Sequence, residues 1–214
     1  MHVSEIWRYP VKSMRGQRVA ESEVLRTGLA QDRRIVVLSN KTERPITART
    51  HPALLGLHAA LTEDGQTTVN GFMWNSPEVE ALVSEAVRQS ARLVDFRTRP
   101  DRFDVLPLLV ATDGAIASID IDSRRLRPNI IVGGVSGREE REWPGHTVQL
   151  GPVLIHAAQL RMRCVMTTYD PDTLVQDRSV LHRIVQQMQG ALALDCSVVR
   201  EGILRENDAV KLSV

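Results

Sequence analysis

The most chemically loaded position in the chain is a single thiol placed beside guanidinium groups. Cys164 follows Arg161 and Arg163, and it precedes Thr167, Thr168 and an Asp170–Pro171 turn. The thiolate is the form that ligates metals and attacks electrophiles. Neighbouring cations favour that form, so Arg161 and Arg163 are expected to draw Cys164 towards it. The competing reading is a buried cysteine acting as a small hydrophobe. Three further clusters place cations beside apolar runs: Lys12-Ser13, Asp32-Arg33-Arg34, and Arg124 through Asn129. Guanidinium forks and a lysine point charge suit phosphate, and the short polar side chains of Ser13, Thr112 and Asn129 can complete an oxygen shell. Taken singly, each cluster reads more readily as a solvated surface. No Walker loop is present, so a nucleoside triphosphate is not indicated.

Short strands must position these groups. Residues 3–8 and 18–25 alternate apolar and polar, which predicts two half-buried strands. Between them, Pro10 and Gly16 bound a loop carrying Lys12, Ser13 and Arg15. Residues 35–38 form a buried apolar run, and further strands are expected at 43–48, 53–61 and 67–73. Ser76-Pro77-Glu78 opens a helix: a serine cap, proline at the first position and carboxylates where the dipole favours them. Val79, Leu82, Val83 and Ala86 then mark one apolar face. A strand over 91–96 follows, and the polar stretch 97–102 marks a boundary.

Past the boundary, a strand over 106–111 leads to a short helix through Ile116 and Ile119, and Ile130-Ile131-Val132 is a buried strand. The charged run 138–142 reads as a solvated loop. Strands at 147–150 and 152–160, a strand bearing Cys164, a helix over 178–189 and strands near 196–200 and 208–213 complete the chain. The helix carries Val180, Leu181, Ile184, Val185 and Met188 on one face. There is no βαβ rhythm and no GxGxxG after a strand, so a dinucleotide fold is excluded. The pattern predicts a β-rich α+β protein built as a barrel or curled sheet with a few covering helices.

Composition narrows the function. At 214 residues and 43% apolar, the chain can bury its own core without disulfides. A formal charge of +1 and 4% aromatics argue against a nucleic-acid partner, which would need a basic face and stacking platforms. The two cysteines form no CxxC pair, and the histidines form no HExxH, so zinc and thioredoxin-type sites are not indicated. No apolar run is long enough to span a bilayer and no basic leader precedes an apolar stretch, so a cytoplasmic protein with no membrane partner is expected.

Several of these residues also carry a resemblance. Tyr9-Pro10-Val11-Lys12-Ser13, Gly28-Leu29, Asp32-Arg33 and Ala48-Arg49 before His51-Pro52-Ala53-Leu54 resemble the N-terminal β-barrel domain of MOSC proteins. Arg127-Pro128-Asn129-Ile130-Ile131-Val132 and the run Arg163-Cys164-Val165-Met166-Thr167-Thr168-Tyr169-Asp170-Pro171-Asp172-Thr173 resemble the MOSC domain. The resemblance covers nearly the whole chain in the family's order. It implies an N-terminal β-barrel-like domain over 1–97 and a MOSC domain over 98–214. It departs at Met14, where the family commonly has a cysteine that is not a metal ligand.

The resemblance implies a molybdenum cofactor, a pterin dithiolate bearing a phosphate. It places the metal-ligating and catalytic cysteine on Cys164. It places the phosphate and pterin contacts on Lys12, Ser13, Arg33, Arg127, Asn129 and Arg163, with Thr112 at a turn where the family has a hydroxyl. The implied activity is reduction of small N-oxygenated compounds such as amidoximes and hydroxylamines, with oxygen leaving as water. Two cysteines are too few for an iron–sulfur cluster, so electrons are expected from an external donor of flavoprotein, ferredoxin or cytochrome type. A cofactor carrier or sulfur-transfer protein uses the same cysteine and cationic pocket, and the sequence leaves both readings open. In either case Cys164→Ala should remove function and Cys196→Ala should affect packing alone.

Overall fold

The computed structural model describes residues 1–97, 99 and 102–213. The first strand, β1 (His2–Arg8), buries Val3 and Ile6, which stand three positions apart across an irregularity of pairing between Val3 and Glu5. The loop after it returns as β2 (Gln17–Val19), β3 (Glu21–Leu25) and β4 (Gly28–Leu29), followed by the fully buried β5 (Ile35–Ser39). β6 (Ala59–Leu61), β7 (Thr67–Val69) and β8 (Phe72–Met73) form a small meander. Helix α1 (Pro77–Val87) is capped by the Ser76 hydroxyl, which accepts from the Val79 amide at 3.4 Å, and it buries Val79, Val83 and Val87. β9 (Ala91–Asp95) then pairs antiparallel with β5.

In the second half, β10 (Leu108–Thr112) passes through α2 (Asp113–Ala117) to β11 (Ile130–Gly133), and the two strands run parallel. β12 (Thr147–Leu150), β13 (Val153–Met162), α3 (Arg178–Met188), β14 (Ala191–Arg200), β15 (Gly202–Arg205) and β16 (Val210–Ser213) complete the fold. The main sheet has eight strands in the order β16-β12-β13-β14-β10-β11-β1-β2. Among the described residues no sheet closes as a continuous barrel. The two ends of the large sheet approach where His2 bridges Ala209 and the Val3 amide donates to the Asp208 carbonyl at 2.9 Å. Inside this curl lies one apolar core, with Val3, Ile6, Leu108, Ile130, Ile155, Leu194 and Cys196. A second core, under α1, holds Val11, Met14, Ile35, Leu54, Val79 and Val83, so Met14 serves packing.

The β-rich α+β class stands, and several local expectations change. The run 18–25 divides at Ala20, because β2 pairs with β1 while β3 turns away to pair with β15. Residues 43–48 form no strand, and Pro45 makes only an isolated bridge to Leu38. Within 53–61, proline at the first position favours a 3-10 turn over Pro52–Gly56 before β6. On α3, Val180, Ile184 and Met188 are buried while Val185 faces solvent. The charged run is not simply solvated: Glu140 is buried and its carboxylate accepts from the Thr112 amide and hydroxyl and from the Ala193 amide.

The first third contributes β1 and β2 to the same sheet as β10–β14, with Ile6 opposite Ile130. The expected boundary near residue 97 adjoins positions 98, 100 and 101, which lie outside the described residues. No helix among the described residues is long and apolar enough to cross a membrane.

Candidate functional site

A cavity of about 600 Å³ collects side chains from segments far apart in sequence. It is lined by Lys12 and Ser13 from the first loop, Arg33 from the turn before β5, Arg127 and Asn129 from the approach to β11, and Arg163 and Cys164 from just after β13. Seven of the eight expected site residues therefore share one cavity. Thr112 does not line it. Its hydroxyl caps α2, accepting from the Ala115 amide at 3.3 Å, and donates to Glu140 at 2.8 Å, which commits it to the fold.

The first loop is fixed by backbone hydrogen bonds: the Lys12 amide donates to the Ile35 carbonyl at 2.8 Å, and the Arg33 amide donates to the Tyr9 carbonyl at 2.7 Å. Beneath it, the wholly buried Asp32 carboxylate accepts from the Tyr9 amide at 2.8 Å and from the Arg33 guanidinium. Asn129 is a second strut. Its side-chain oxygen accepts from Arg33 and from the Leu109 amide, both at 3.1 Å, and its side-chain nitrogen donates to the Trp7 carbonyl at 3.3 Å. Asn129 thus positions Arg33 as well as facing the cavity.

Ser13, Arg33 and Arg127 adopt left-handed backbone angles, with φ of 73°, 48° and 55°. Such conformations cost non-glycine residues on the order of 1 kcal/mol each, and they persist where surrounding contacts over-determine them, often at functional sites. Gly16 permits the turn of the same loop, since a Cβ there would stand 2.2 Å from the Arg8 carbonyl oxygen.

Cys164 lies beyond the strand expected to carry it. β13 runs unbroken to Met162, and Cys164 then caps a 3-10 turn over Val165–Thr168. Its carbonyl accepts from the Thr167 amide and hydroxyl at 3.1 and 2.9 Å, so Thr167 shapes the turn from a buried position. Asp170 folds the following segment by accepting from the Asp172 and Thr173 amides, and it holds Arg125 at 3.0 Å. The thiol is partly exposed at the cavity wall. By contrast, Cys196 is wholly buried, and burial pushes its thiol well above the ordinary range.

Charge in the cavity is unbalanced. Lys12, Arg33, Arg49, Arg125, Arg127, Arg161 and Arg163 face Asp104 and Asp195. Burial pushes the Arg163 guanidinium down to about 10, with Arg161 adding to the fall and Cys164 opposing it. One nitrogen of Arg163 donates to the Leu126 carbonyl at 2.7 Å, whereas its buried Nε has no partner. Burial likewise pushes Arg127 down to about 10. Among the described residues the Arg127 guanidinium has no hydrogen-bond acceptor; it lies over the Tyr9 ring, 4.4 Å from the centroid, as Arg33 does at 4.8 Å. Desolvated cations without counter-ions are costly, and an anionic ligand relieves that cost.

The lining residues not expected as ligand contacts include Arg49, Asp104, Arg161 and Asp195. The signal for Asp195 was available, as a lone carboxylate inside the apolar run 191–199. It accepts from Arg161 at 2.9 Å and from Gln159 at 3.3 Å, and burial pushes its carboxyl up against their opposing pull.

Comparison with known proteins agrees with this organisation. Residues 1–106 match the MOSC N-terminal beta barrel domain and residues 109–211 match the MOSC domain. Mitochondrial amidoxime-reducing component 1 of Mus musculus is 28% identical over 233 residues, covering 82% of this chain and 68% of that protein. Mitochondrial amidoxime reducing component 2 of Homo sapiens is 28% identical over 241 residues, covering 82% and 69%. Among solved structures, the YUAD protein from Bacillus subtilis superposes with a TM-score of 0.53 at 9% identity, over 98% of this chain and 93% of that one, which is a likeness of fold.

Proposed function

We propose that this chain, which belongs to the MOSC-domain proteins, binds a molybdenum cofactor in the cationic cavity and reduces small N-oxygenated compounds. The observation that carries the reading is the meeting of one partly exposed thiol, Cys164, with unpaired or desolvated arginines in a single cavity. The donor set fits such a group. A thiolate is the soft ligand that suits the metal, and the arginines and Lys12 suit the anionic dithiolate and phosphate of the pterin. When bound, the cofactor supplies the two-electron chemistry that releases the substrate's oxygen as water.

The chain's own residues then have separable tasks. Cys164 would hold the metal at the cavity wall. Lys12, Ser13, Arg33, Arg127 and Arg163 would hold the pterin and its phosphate, while Asn129 keeps Arg33 aimed. The exposed side chains of Met162 and Val105 give the cavity an apolar rim, suited to the carbon portion of an amidoxime. Electrons would come from an external donor of flavoprotein, ferredoxin or cytochrome type, since Cys196 is buried in the core and Cys164 lines the cavity, so the two do not make the cysteine pair of an iron–sulfur centre.

The test is turnover by protein produced in a host that makes the cofactor, supplied with a reduced viologen dye. Reduction of at least one of several N-hydroxylated compounds, lost in Cys164→Ala, supports the reading. Bound molybdenum without any turnover would instead support a cofactor carrier or a sulfur-transfer protein.

A further inference from the structure

Asp104 occupies the cavity wall in the manner of a bound anion. One of its oxygens lies 2.9 Å from the Lys12 Nζ, and the other lies 3.4 Å from both the Arg49 and Arg161 guanidinium groups. The three cations come from three separate segments: the first loop, the stretch before the Pro52–Gly56 turn, and the end of β13. Burial alone would raise the Asp104 carboxyl, yet the Lys12 hydrogen bond and the charges of Lys12, Arg161 and Arg49 outweigh it and hold the carboxyl below its ordinary value. Asp104 itself sits in the connection between β9 and β10, outside any strand or helix. One carboxylate meets three cations, and the side chain of Arg49 is 57% exposed. Two of the three have few other ties. Arg161 alone is also bound to the buried Asp195, which keeps it in place if Asp104 leaves.

We propose that Lys12, Arg49 and Arg161 form an oxyanion site of phosphate class and that Asp104 is its built-in occupant, displaced when an anionic ligand enters. The chain thereby shields converging cations that would otherwise repel one another, and it sets a threshold against weak anions. An incoming phosphate brings more charge and more acceptor oxygens than a carboxylate, so it can give each of the three cations its own oxygen, where Arg49 and Arg161 now share one oxygen of Asp104 at 3.4 Å. The inference rests on the cavity accepting an anion; it requires neither the metal nor turnover.

The test uses the full chain made without cofactor and titrated calorimetrically with inorganic phosphate. Asp104→Asn keeps the shape and removes the competing charge, so it should bind phosphate about tenfold more tightly than the wild type, because the self-occupied population no longer competes. Adding Arg49→Ala to that variant should erase the gain, which locates the phosphate among these cations. Equal or weaker binding by Asp104→Asn, with its melting temperature unchanged, would overturn the proposal and leave Asp104 as a strut. Repeating the titration on cofactor-loaded protein separates two sources of the same chemistry. Silence there assigns the site to the cofactor's own phosphate, and unchanged binding assigns it to a free phosphate. No gain in Asp104→Asn alongside normal wild-type turnover would sink this inference and spare the proposed function, whereas the expected gain with no turnover by the wild type would do the reverse.

Discussion

Arg34 and Arg163 carry the same guanidinium group into opposite settings. Arg34 grips Asp95 through two nitrogens, its Nε lying 2.9 and 3.0 Å from the two carboxylate oxygens, and its third nitrogen donates to Gln31. That pairing raises the affinity of Arg34 for its proton and lowers that of Asp95. Arg163 has one backbone carbonyl and a buried nitrogen with no partner, and burial depresses it. Arg124, held by Asp122 and Asp172, resembles Arg34; Arg127, stacked on Tyr9, resembles Arg163. The satisfied arginines tie one segment to another. Arg163 and Arg127 line the cavity that holds the thiol, whereas Arg8, Arg15 and Arg183, whose buried Nε atoms also lack a partner, do not; an arginine left without a counter-ion in that cavity points to a ligand rather than to the fold.

The largest effect is expected on the unsatisfied side. Cys164→Ala should abolish reductase turnover and retention of molybdenum while leaving the urea midpoint unchanged. Cys196→Ala should keep turnover and lose about 1 kcal/mol of stability from the core. Equal loss of activity in both folded variants would contradict the assignment. Arg163→Met should lower pterin retention by roughly tenfold, the worth of a charge-assisted hydrogen bond, with stability unchanged or raised because a desolvated charge is removed. Co-purified pterin and the melting temperature measure the two halves of that prediction.

On the satisfied side the expected losses are of stability alone. Glu140→Ala strands the Thr112 amide and hydroxyl and the Ala193 amide, and it should cost on the order of 3 kcal/mol by urea denaturation. Arg34→Ala should cost about 1 kcal/mol, since the pair is only partly buried. Its pH dependence has a definite sign. The folded Asp95 carboxyl lies below its ordinary value chiefly because Arg34 bonds to it. The pair's contribution is therefore complete above the unfolded carboxyl pKa of about 4 and is lost as pH falls through the lower folded value. The stability difference between wild type and Arg34→Ala should be flat near neutrality and vanish in strong acid.

Local signals carried much of this organisation. Ser76-Pro77 located α1 because capping and proline chemistry act within one turn of chain; alternation located β1, although an irregularity between Val3 and Glu5 sets its buried residues three positions apart. The cationic loops were visible as residue types. Which arginine faces the cavity was not: Arg33 and Arg34 are adjacent, yet only Arg33 lines it, while Arg34 is turned to Asp95. That choice depends on Asp32, Asn129 and Asp95, which meet only after the chain folds. Thr112 and Glu140 escaped for the same reason, since each looks exposed in sequence and is buried by the other. Cys164 looked like a strand residue because its neighbours favour strands, but the hydroxyl of Thr167 folds its carbonyl into a turn and brings the thiol to the wall.

The most direct measurement is joint molybdenum and pterin analysis of wild type and Cys164→Ala purified from a cofactor-competent host. Stoichiometric metal and phosphate-bearing pterin in the wild type, with metal lost from the variant, is the predicted result. Wild-type protein that is folded and carries neither would contradict a cofactor site at Cys164.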